Sequence, residues 1–298
     1  MDDRIHSLIV NPSSGGGRGR RLLVEAETAM RERRLRFRTV VSEDLEHGVE
    51  QALAAHQAGE LPVVMSGDGM IGQAGGALAG RDATMGILPG GRGNDLARVL
   101  GIPNRVADAV GILAAGHERQ IDVGEVNGKR FLGIASMGYD SVSNRIANET
   151  RLIRGGPVYA YAALRALAGW KPAVFEITLD GSETVRMRGY AVAVANSRAF
   201  GGGMFIAPDA ELDDGRFDVV MSGDVGKLRF LANLPKVFKG THVDEEEVTV
   251  RRASTVEVTA DRDFEIYADG EHLSDMPARL RVLSGALRVI APAAGPAR

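Results

Sequence analysis

A chain of 298 residues, 44% hydrophobic and 25% charged, with a formal net charge of -3 and no cysteine, is long enough for two domains with cores of their own. The slightly acidic balance excludes a broadly basic nucleic-acid-binding surface. The lack of cysteine excludes disulfides, thiolate metal sites and cysteine nucleophiles. The first residues, MDDRIHSLIVNPSSGG, are acidic where a secretory signal is basic, and their apolar run is too short for one. No apolar stretch approaches the length of a membrane span. A cytoplasmic protein is expected, touching membranes only peripherally.

In chain order, Ile5–Val10 reads as a strand, NPSSGGGRG as a glycine loop and Arg20–Arg33 as a helix. Strand Phe37–Val41 and helix Leu45–Gln57 follow, then strand Pro62–Met65 and helix Ile71–Leu78. Strand Met85–Leu88 runs into PGGRGND and helix Leu96–Leu100, with a further helix at Val106–Ala115. Short apolar strands alternating with helices predict a doubly wound parallel sheet. Ligands bind such sheets at the carboxyl ends of the strands, the edge that holds the glycine-rich stretches Ser13–Gly19, Gly67–Gly76 and Gly90–Gly93.

The texture changes near Ile121. Strands are expected at Phe131–Ala135, Val174–Leu179, Ala191–Ala195, Phe217–Met221, Glu247–Val250, Thr255–Thr259 and Phe264–Ala268, several alternating apolar with polar residues as antiparallel strands do. Helices are expected at Val158–Leu167 and Lys227–Phe238. The division is therefore a nucleotide-binding α/β domain, 1–121 with 284–298 returning to it through Leu287–Ile290, and an antiparallel β-rich, sandwich-like domain, 122–283. The closing APAAGPAR is an Ala/Pro tail.

Gly67, Gly69 and Gly72 spell the dinucleotide fingerprint. Two strands precede it, however, and the acid expected after the next strand is missing, so an NADP reading is the weaker one. Close helix–sheet packing explains Gly72, Gly75 and Gly76, but not Asp68. The first lysine of the chain is Lys129, which excludes a P-loop or a kinase-type strand lysine in the first domain. Phosphates there must be held by backbone N–H groups, a helix N-terminus, arginines and a metal ion, with Asp68 the natural partner of Mg²⁺. Asn94 and Asp95 stand before a helix as cap-grade residues behind a second glycine loop, which favours a binding edge.

NPSSGGGRG, SGDGMIGQAGGAL, GILPGGRGNDLARVLGIP, PDAELDDGRFDV and YADGEHL occur in that order. With them the chain resembles, over its full length, the diacylglycerol kinase catalytic family, bacterial lipid kinases related to sphingosine and ceramide kinases. The resemblance implies an ATP- and Mg²⁺-dependent lipid kinase with its active site in a cleft between the two domains. It implies that Ser66, Gly67, Asp68, Gly69, Met70, Ile71 and Gly72 wrap the ATP phosphates and that Asn11, Ser42 and Arg92 lie beside the nucleotide. Glu211, Asp214 and the Arg216 carbonyl would hold a structural Mg²⁺. Glu271 would accept the proton, with Asp269 beside it and the division of roles open. Where relatives have G-G-D-G-T-x-N, this chain has Ser66, Met70 and Gly72. Met70 lacks a hydroxyl for phosphate, and Arg92, replacing a common Thr, offers a charged fork instead. On this reading Asp68→Ala abolishes turnover and leaves the melting temperature unchanged.

Plainer readings stand beside these. Asp213–Gly215 and Ala268–Glu271 are good turn sequences. Helix Lys227–Lys239 is either an interfacial patch meeting anionic lipid or an ordinary helix covering the sheet. The other functional readings are an NAD kinase-like enzyme acting on a soluble nucleotide and a catalytically silent nucleotide- or lipid-binding protein. The expected partner is a lipid at a membrane surface, with no nucleic acid; a homodimer stays open.

Overall fold

The computed structural model describes residues 4–150 and 156–293, so the last five residues of the Ala/Pro tail lie outside it. The chain divides into two compact units, residues 1–123 with 283–298, and residues 124–282.

In unit 1, β1 (His6–Val10) leads through a short turn, α1 (Ser14–Gly17), to α2 (Gly19–Glu32), β2 (Phe37–Val41), α3 (Leu45–Gln57), β3 (Leu61–Ser66), α4 (Asp68–Leu78), β4 (Thr84–Pro89), α5 (Asp95–Val99) and α6 (Val106–Ala115). The strands pair in parallel in the order β2–β1–β3–β4. Every residue of β1, β3 and β4 is buried, as expected of a sheet covered on both faces. Leu8, Ile9, Val63, Val64, Met85 and Leu88 reach 0% exposure. Full burial of one such side chain stabilises by about 1.5–3 kcal/mol.

Unit 2 contains the end of β5 (Glu118–Val126), most of which belongs to unit 1, then β6 (Lys129–Phe131), β7 (Ile134–Gly138), α7 (Tyr139–Glu149), α8 (Gly156–Gly169), β8 (Ala173–Leu179), β9 (Glu183–Ala195), β10 (Phe217–Gly223), α9 (Lys227–Val237), β11 (Val248–Ala253), β12 (Thr255–Ala260), β13 (Glu265–Ala268) and β14 (Glu271–Asp275). Its pairings are antiparallel: β14–β13–β7–β9–β8–β12, with β10 bridging β9 and β11. The core is aromatic. Tyr190 stacks on Phe230 at 4.1 Å between centroids, and Phe175 on Phe264 at 5.7 Å. β15 (Ala278–Ile290) is one long strand: Ala278–Arg281 pair antiparallel with β12, and Arg288 and Val289 pair in parallel with Thr84 and Met85 of β4.

Several boundaries differ from the sequence expectation. β9 begins at Glu183 rather than Ala191, because its first half, ETVRMR, alternates with exposed polar residues and carries no apolar run. α7 was not anticipated. Its sequence, YDSVSNRIANE, is polar over most of its length.

Candidate active site

The strands of unit 1 end level with one another: Val10 opposes Met65, and Ser66 opposes Pro89. The chain passes from β1 to β2 on one side and to β3 and β4 on the other. The carboxyl ends of β1 and β3 therefore flank a topological switch point, where connections diverge and leave room for a ligand. Three loops meet there. In the first, Asn11 Oδ1 accepts the Ser13 N–H at 2.9 Å, and Gly15, Gly16 and Gly17 take φ values of 60°, 76° and 89° that favour glycine. A Cβ on Gly15 would lie 2.7 Å from the Gly90 carbonyl oxygen, and one on Gly91 2.5 Å from the Gly67 Cα. Side chains are excluded because backbone packs on backbone. Arg18 ties the first loop to the third, donating from Nε to Gly15 O and from a terminal nitrogen to Gly91 O, each at 3.1 Å. The sequence reading did not single it out; the signal was a lone cation inside GGGRG.

Asp68 sits at the centre. Gly67 is extended, so α4 begins at Asp68, three residues earlier than expected. The Asp68 Oδ1 accepts the Asp95 N–H at 2.6 Å and the Leu96 N–H at 3.4 Å. It thereby caps α5 from another loop. Asn94 and Asp95, read from sequence as capping residues, do not do this. Asn94 is left-handed at φ 52°, with no capping bond from its side chain. That side chain folds back to accept the Gly91 N–H at 2.9 Å and to donate to Asn104 Oδ1 at 3.2 Å. Asp95 is the first residue of the helix itself. Burial raises the Asp68 carboxyl above its ordinary value, the charge of Asp95 adds to this, and the amides partly offset it. Asp68→Ala thus removes a helix cap as well as a charge, so an unchanged melting temperature no longer follows.

The remaining residues of this edge divide between backbone and interior. Ser42 is buried, its Oγ donating to Val10 O at 3.1 Å. Ser66 is buried, and its carbonyl accepts the Gly90 N–H at 2.8 Å. Gly69 and Met70 lie in the first turn of α4, whose N–H groups have no acceptor within the helix. The Met70 thioether points inward, its Cε filling the space that a Gly48 side chain would need. Ile71 and Gly72 are buried, and the Ile71 N–H is spent on Gly67 O at 3.2 Å. Arg92 is exposed against Gly16, with no hydrogen-bond or ion-pair partner among the described residues. It remains available to an anion.

In unit 2, Asp269 and Gly270, at φ 53° and 87°, form the two-residue turn of the β13–β14 hairpin, as Asp-Gly does. The Asp269 carboxylate accepts the Leu132 and Gly133 N–H groups, each at 2.9 Å. This grip divides the strand expected at Phe131–Ala135 into β6 and β7. Glu271 follows the turn. It has no hydrogen-bond or ion-pair partner among the described residues, and desolvation raises its carboxyl above the ordinary range. Asp214 Oδ1 accepts the Arg216 N–H at 3.0 Å, closing the turn, while Oδ2 meets the Arg252 guanidinium. Arg252 also reaches Asp218 Oδ2 at 3.8 Å. Burial, Asp209 and the exposed Glu211 push Asp218 up to about 6.

Two places thus stand as candidates for a cation. At Glu211, Asp214 and the Arg216 carbonyl the fit is poor, because Arg252 already supplies the positive charge. No group of three or more His, Asp or Glu residues is assembled for a metal among the described residues. The Asp68–Asp95 pair fits better, since Arg98 reaches Asp95 at 3.9 Å but no cation pairs with the Asp68 carboxylate among the described residues. A buried carboxylate raised by a neighbouring carboxylate is relieved by a divalent cation, and Mg²⁺ takes one or two carboxylates with phosphate oxygens and water.

Unit 2 also holds a cavity of about 800 Å³. Val142, Ile146, Trp170, Phe264 and Met276 give it one apolar wall, while Arg145, Arg165, Lys171, Arg262, Asp263, Glu265 and Asp275 make the rest of its lining charged. Its volume falls in the range of small-molecule sites.

Residues 6–126 match the diacylglycerol kinase catalytic domain, and residues 133–291 match the YegS C-terminal NAD kinase beta sandwich-like domain. Loops meeting at a switch point beside a β-rich second unit therefore have a family. The chain belongs to the diacylglycerol kinase family and is an enzyme of the lipid-kinase type. It is 34% identical to a diacylglycerol kinase of Mycobacterium tuberculosis, over 96% of this chain and 95% of that protein. It is also 34% identical to a YegS-like lipid kinase of Pseudomonas aeruginosa, over 83% and 81%. Its fold matches a crystal structure of a diacylglycerol kinase of Bacillus anthracis with a TM-score of 0.75 at 20% identity, covering 97% of each chain.

Proposed function

We propose that the protein transfers the γ-phosphoryl group of ATP to the hydroxyl of diacylglycerol or a closely similar lipid. One observation carries this reading: a buried Asp68, its carboxyl raised by desolvation and by the neighbouring Asp95, stands among backbone-packed glycine loops, at the open N-terminus of α4. Phosphoryl transfer asks mainly for positioning and neutralisation of charge, and this edge offers both without a lysine. The first-turn N–H groups of α4 and the unpaired Arg92 guanidinium hold the phosphates. Asp68 and Asp95 would hold Mg²⁺, which when bound neutralises the phosphate oxygens. Glu271 accepts the proton as the lipid hydroxyl oxygen bonds to the γ-phosphorus, and the bond to the β–γ bridging oxygen breaks to release ADP. Asp269 is unsuited to the proton, because both its oxygens already accept backbone N–H groups. The apolar wall of the cavity in unit 2, with Val142, Ile146, Trp170, Phe264 and Met276, supports a place for acyl chains, and the acceptor's nature implies work at a membrane surface.

The test is phosphate transfer from labelled ATP and Mg²⁺ to diacylglycerol in mixed micelles, with NAD as a parallel acceptor. Transfer to diacylglycerol is expected. Transfer to NAD alone would replace the lipid reading with a nucleotide kinase, which the description of the second domain keeps relevant. Nucleotide binding with no transfer to either acceptor would leave a silent binding protein.

A further inference from the structure

Of the exposed large apolar side chains described in unit 2, Tyr161 and Leu164 lie on α8 and Leu228 in the first turn of α9, whereas Phe238 follows the other end of α9. On α8, Tyr161, Leu164, Arg165 and Ala168 follow the i, i+3, i+4, i+7 spacing of one helix face, and all four are exposed, Leu164 at 56%. The opposite face, Ala162, Ala166 and Leu167, is buried. The first turn of α9 adjoins this exposed face, since Lys227 Nζ donates to Ala168 O at 2.8 Å. The next residue, Leu228, is 84% exposed. Tyr161 and Leu164 on one face of α8, with Leu228 beside the lysine that ties α9 to that helix, bring exposed apolar side chains to adjoining elements rather than scattering them.

The two helices that carry the patch bear charge of one sign. Neither α8, GPVYAYAALRALAG, nor α9, KLRFLANLPKV, contains an acidic residue. Further along α9 the cations are neutralised, Arg229 by Glu247 at 2.7 Å and Lys236 by Glu245 at 2.6 Å. Those at the patch are not. Arg165 donates to the Tyr161 hydroxyl at 2.9 Å, with its guanidinium 5.9 Å from the ring centroid. Lys227 reaches only a carbonyl, and Lys171, just past α8, has no carboxylate partner among the described residues. Asp263, Glu265 and Asp275 occur nearby and line the cavity, as Arg165 and Lys171 also do, but none of these acids lies on α8 or α9. In a chain of net charge -3, apolar side chains framed by unpaired cations match a surface that is greasy below and anionic above. Long basic stems and a tyrosine suit that boundary, with apolar portions inward and polar ends at the headgroups.

We propose that the exposed face of α8 and the first turn of α9 form the docking surface of this protein on an anionic phospholipid bilayer, with Leu164 and Leu228 inserted and Arg165, Lys171 and Lys227 on the headgroups. The proposal rests on the lipid-kinase reading for the identity of the surface and adds to it the place of contact. It also narrows the interfacial role considered for the whole helix Lys227–Lys239 to that helix's first turn. Leu231 packs toward the core, and Arg229 and Lys236 are spent on carboxylates, while Phe238 and Lys239 are exposed past the end of α9.

The test is cosedimentation, without nucleotide, with vesicles of equal parts phosphatidylglycerol and phosphatidylcholine and with vesicles of phosphatidylcholine alone. Wild type is expected to bind the anionic vesicles, less so at high salt, and to bind the zwitterionic ones poorly. Leu164→Asp and Leu228→Asp should each lower partitioning about tenfold or more, and Arg165→Glu with Lys227→Glu should abolish the preference for anionic lipid. Leu164 and Leu228 are exposed and outside the cavity lining, so unchanged melting temperatures and unchanged transfer to a short-chain diacylglycerol below its micelle concentration are expected for the two leucine variants. Wild type that ignores anionic vesicles, or leucine variants that bind as wild type does, would overturn the proposal. So would a leucine-dependent dimer in solution without vesicle binding, which would make the patch a contact between copies. Failure of the kinase reading would appear separately, as lack of transfer to the soluble acceptor.

Discussion

Asp68 in unit 1 and Asp269 in unit 2 make the same local bargain. Each is an acid in a glycine turn, and each carboxylate accepts two backbone N–H groups from a segment far away in sequence. Asp68 fastens α5, and Asp269 separates β6 from β7. They differ in what stands next to them. Asp68 is buried and faces Asp95, and burial first, with the charge of Asp95 added, raises its carboxyl and favours a nearby positive charge. Asp269 is followed two residues later by Glu271, a carboxylate with no hydrogen bond of its own. One region concentrates structure and chemistry in a single side chain, whereas the other divides them between two neighbours. An acid in a functional turn is therefore assigned by what its oxygens already accept, not by the motif in which it lies.

The sharpest way to break this comparison is Glu271→Gln. If the roles in unit 2 are divided, phosphate transfer falls about 10²–10⁴-fold while the melting temperature stays at the wild-type value; steady-state kinetics and thermal unfolding together check it. Asp269→Ala should do the opposite first. It leaves two N–H groups without their acceptor, at a cost of about 1–3 kcal/mol each where buried, measured as a lower midpoint in chemical denaturation. Asp68 should show both effects at once. Asp68→Ala loses turnover and about 1 kcal/mol of cap stability, whereas Asp68→Asn keeps an oxygen acceptor and recovers much of the stability without the turnover. The smallest effect concerns pH. Burial raises Asp140 to about 6, above the ordinary value of 3.8. The folded state therefore favours its protonated form, and stability contributed at low pH is lost as pH rises from about 4 through about 6. Asp140→Asn should flatten that part of the stability–pH curve, read by denaturation at several pH values.

The parallel half of the molecule was legible because its strands are short, wholly apolar runs separated by helices. The loops at their ends were legible because glycine and aspartate occur where side chains ordinarily would. What escaped reading has a physical cause in each case. The cap on α5 comes from residue 68, and no local pattern around Asn94 reveals a donor pair served from another loop. The break between β6 and β7 is imposed by Asp269, over a hundred residues away. The polar first half of β9 gains its order from antiparallel partners on both sides rather than from its own hydrophobicity. Met70, which reads as a lost hydroxyl at a phosphate loop, turns inward, and Gly48 is the residue that makes room for it.

The long strand Ala278–Ile290 has a practical consequence. Its closing residues complete the sheet of unit 1, although they are encoded after all of unit 2. A fragment ending near residue 121 lacks the β15 end that pairs with β4, leaving that edge open to mispairing. Anyone wishing to study nucleotide binding in isolation would do better to excise the intervening segment and splice residues 283–293 onto the first fragment through a short linker than to truncate.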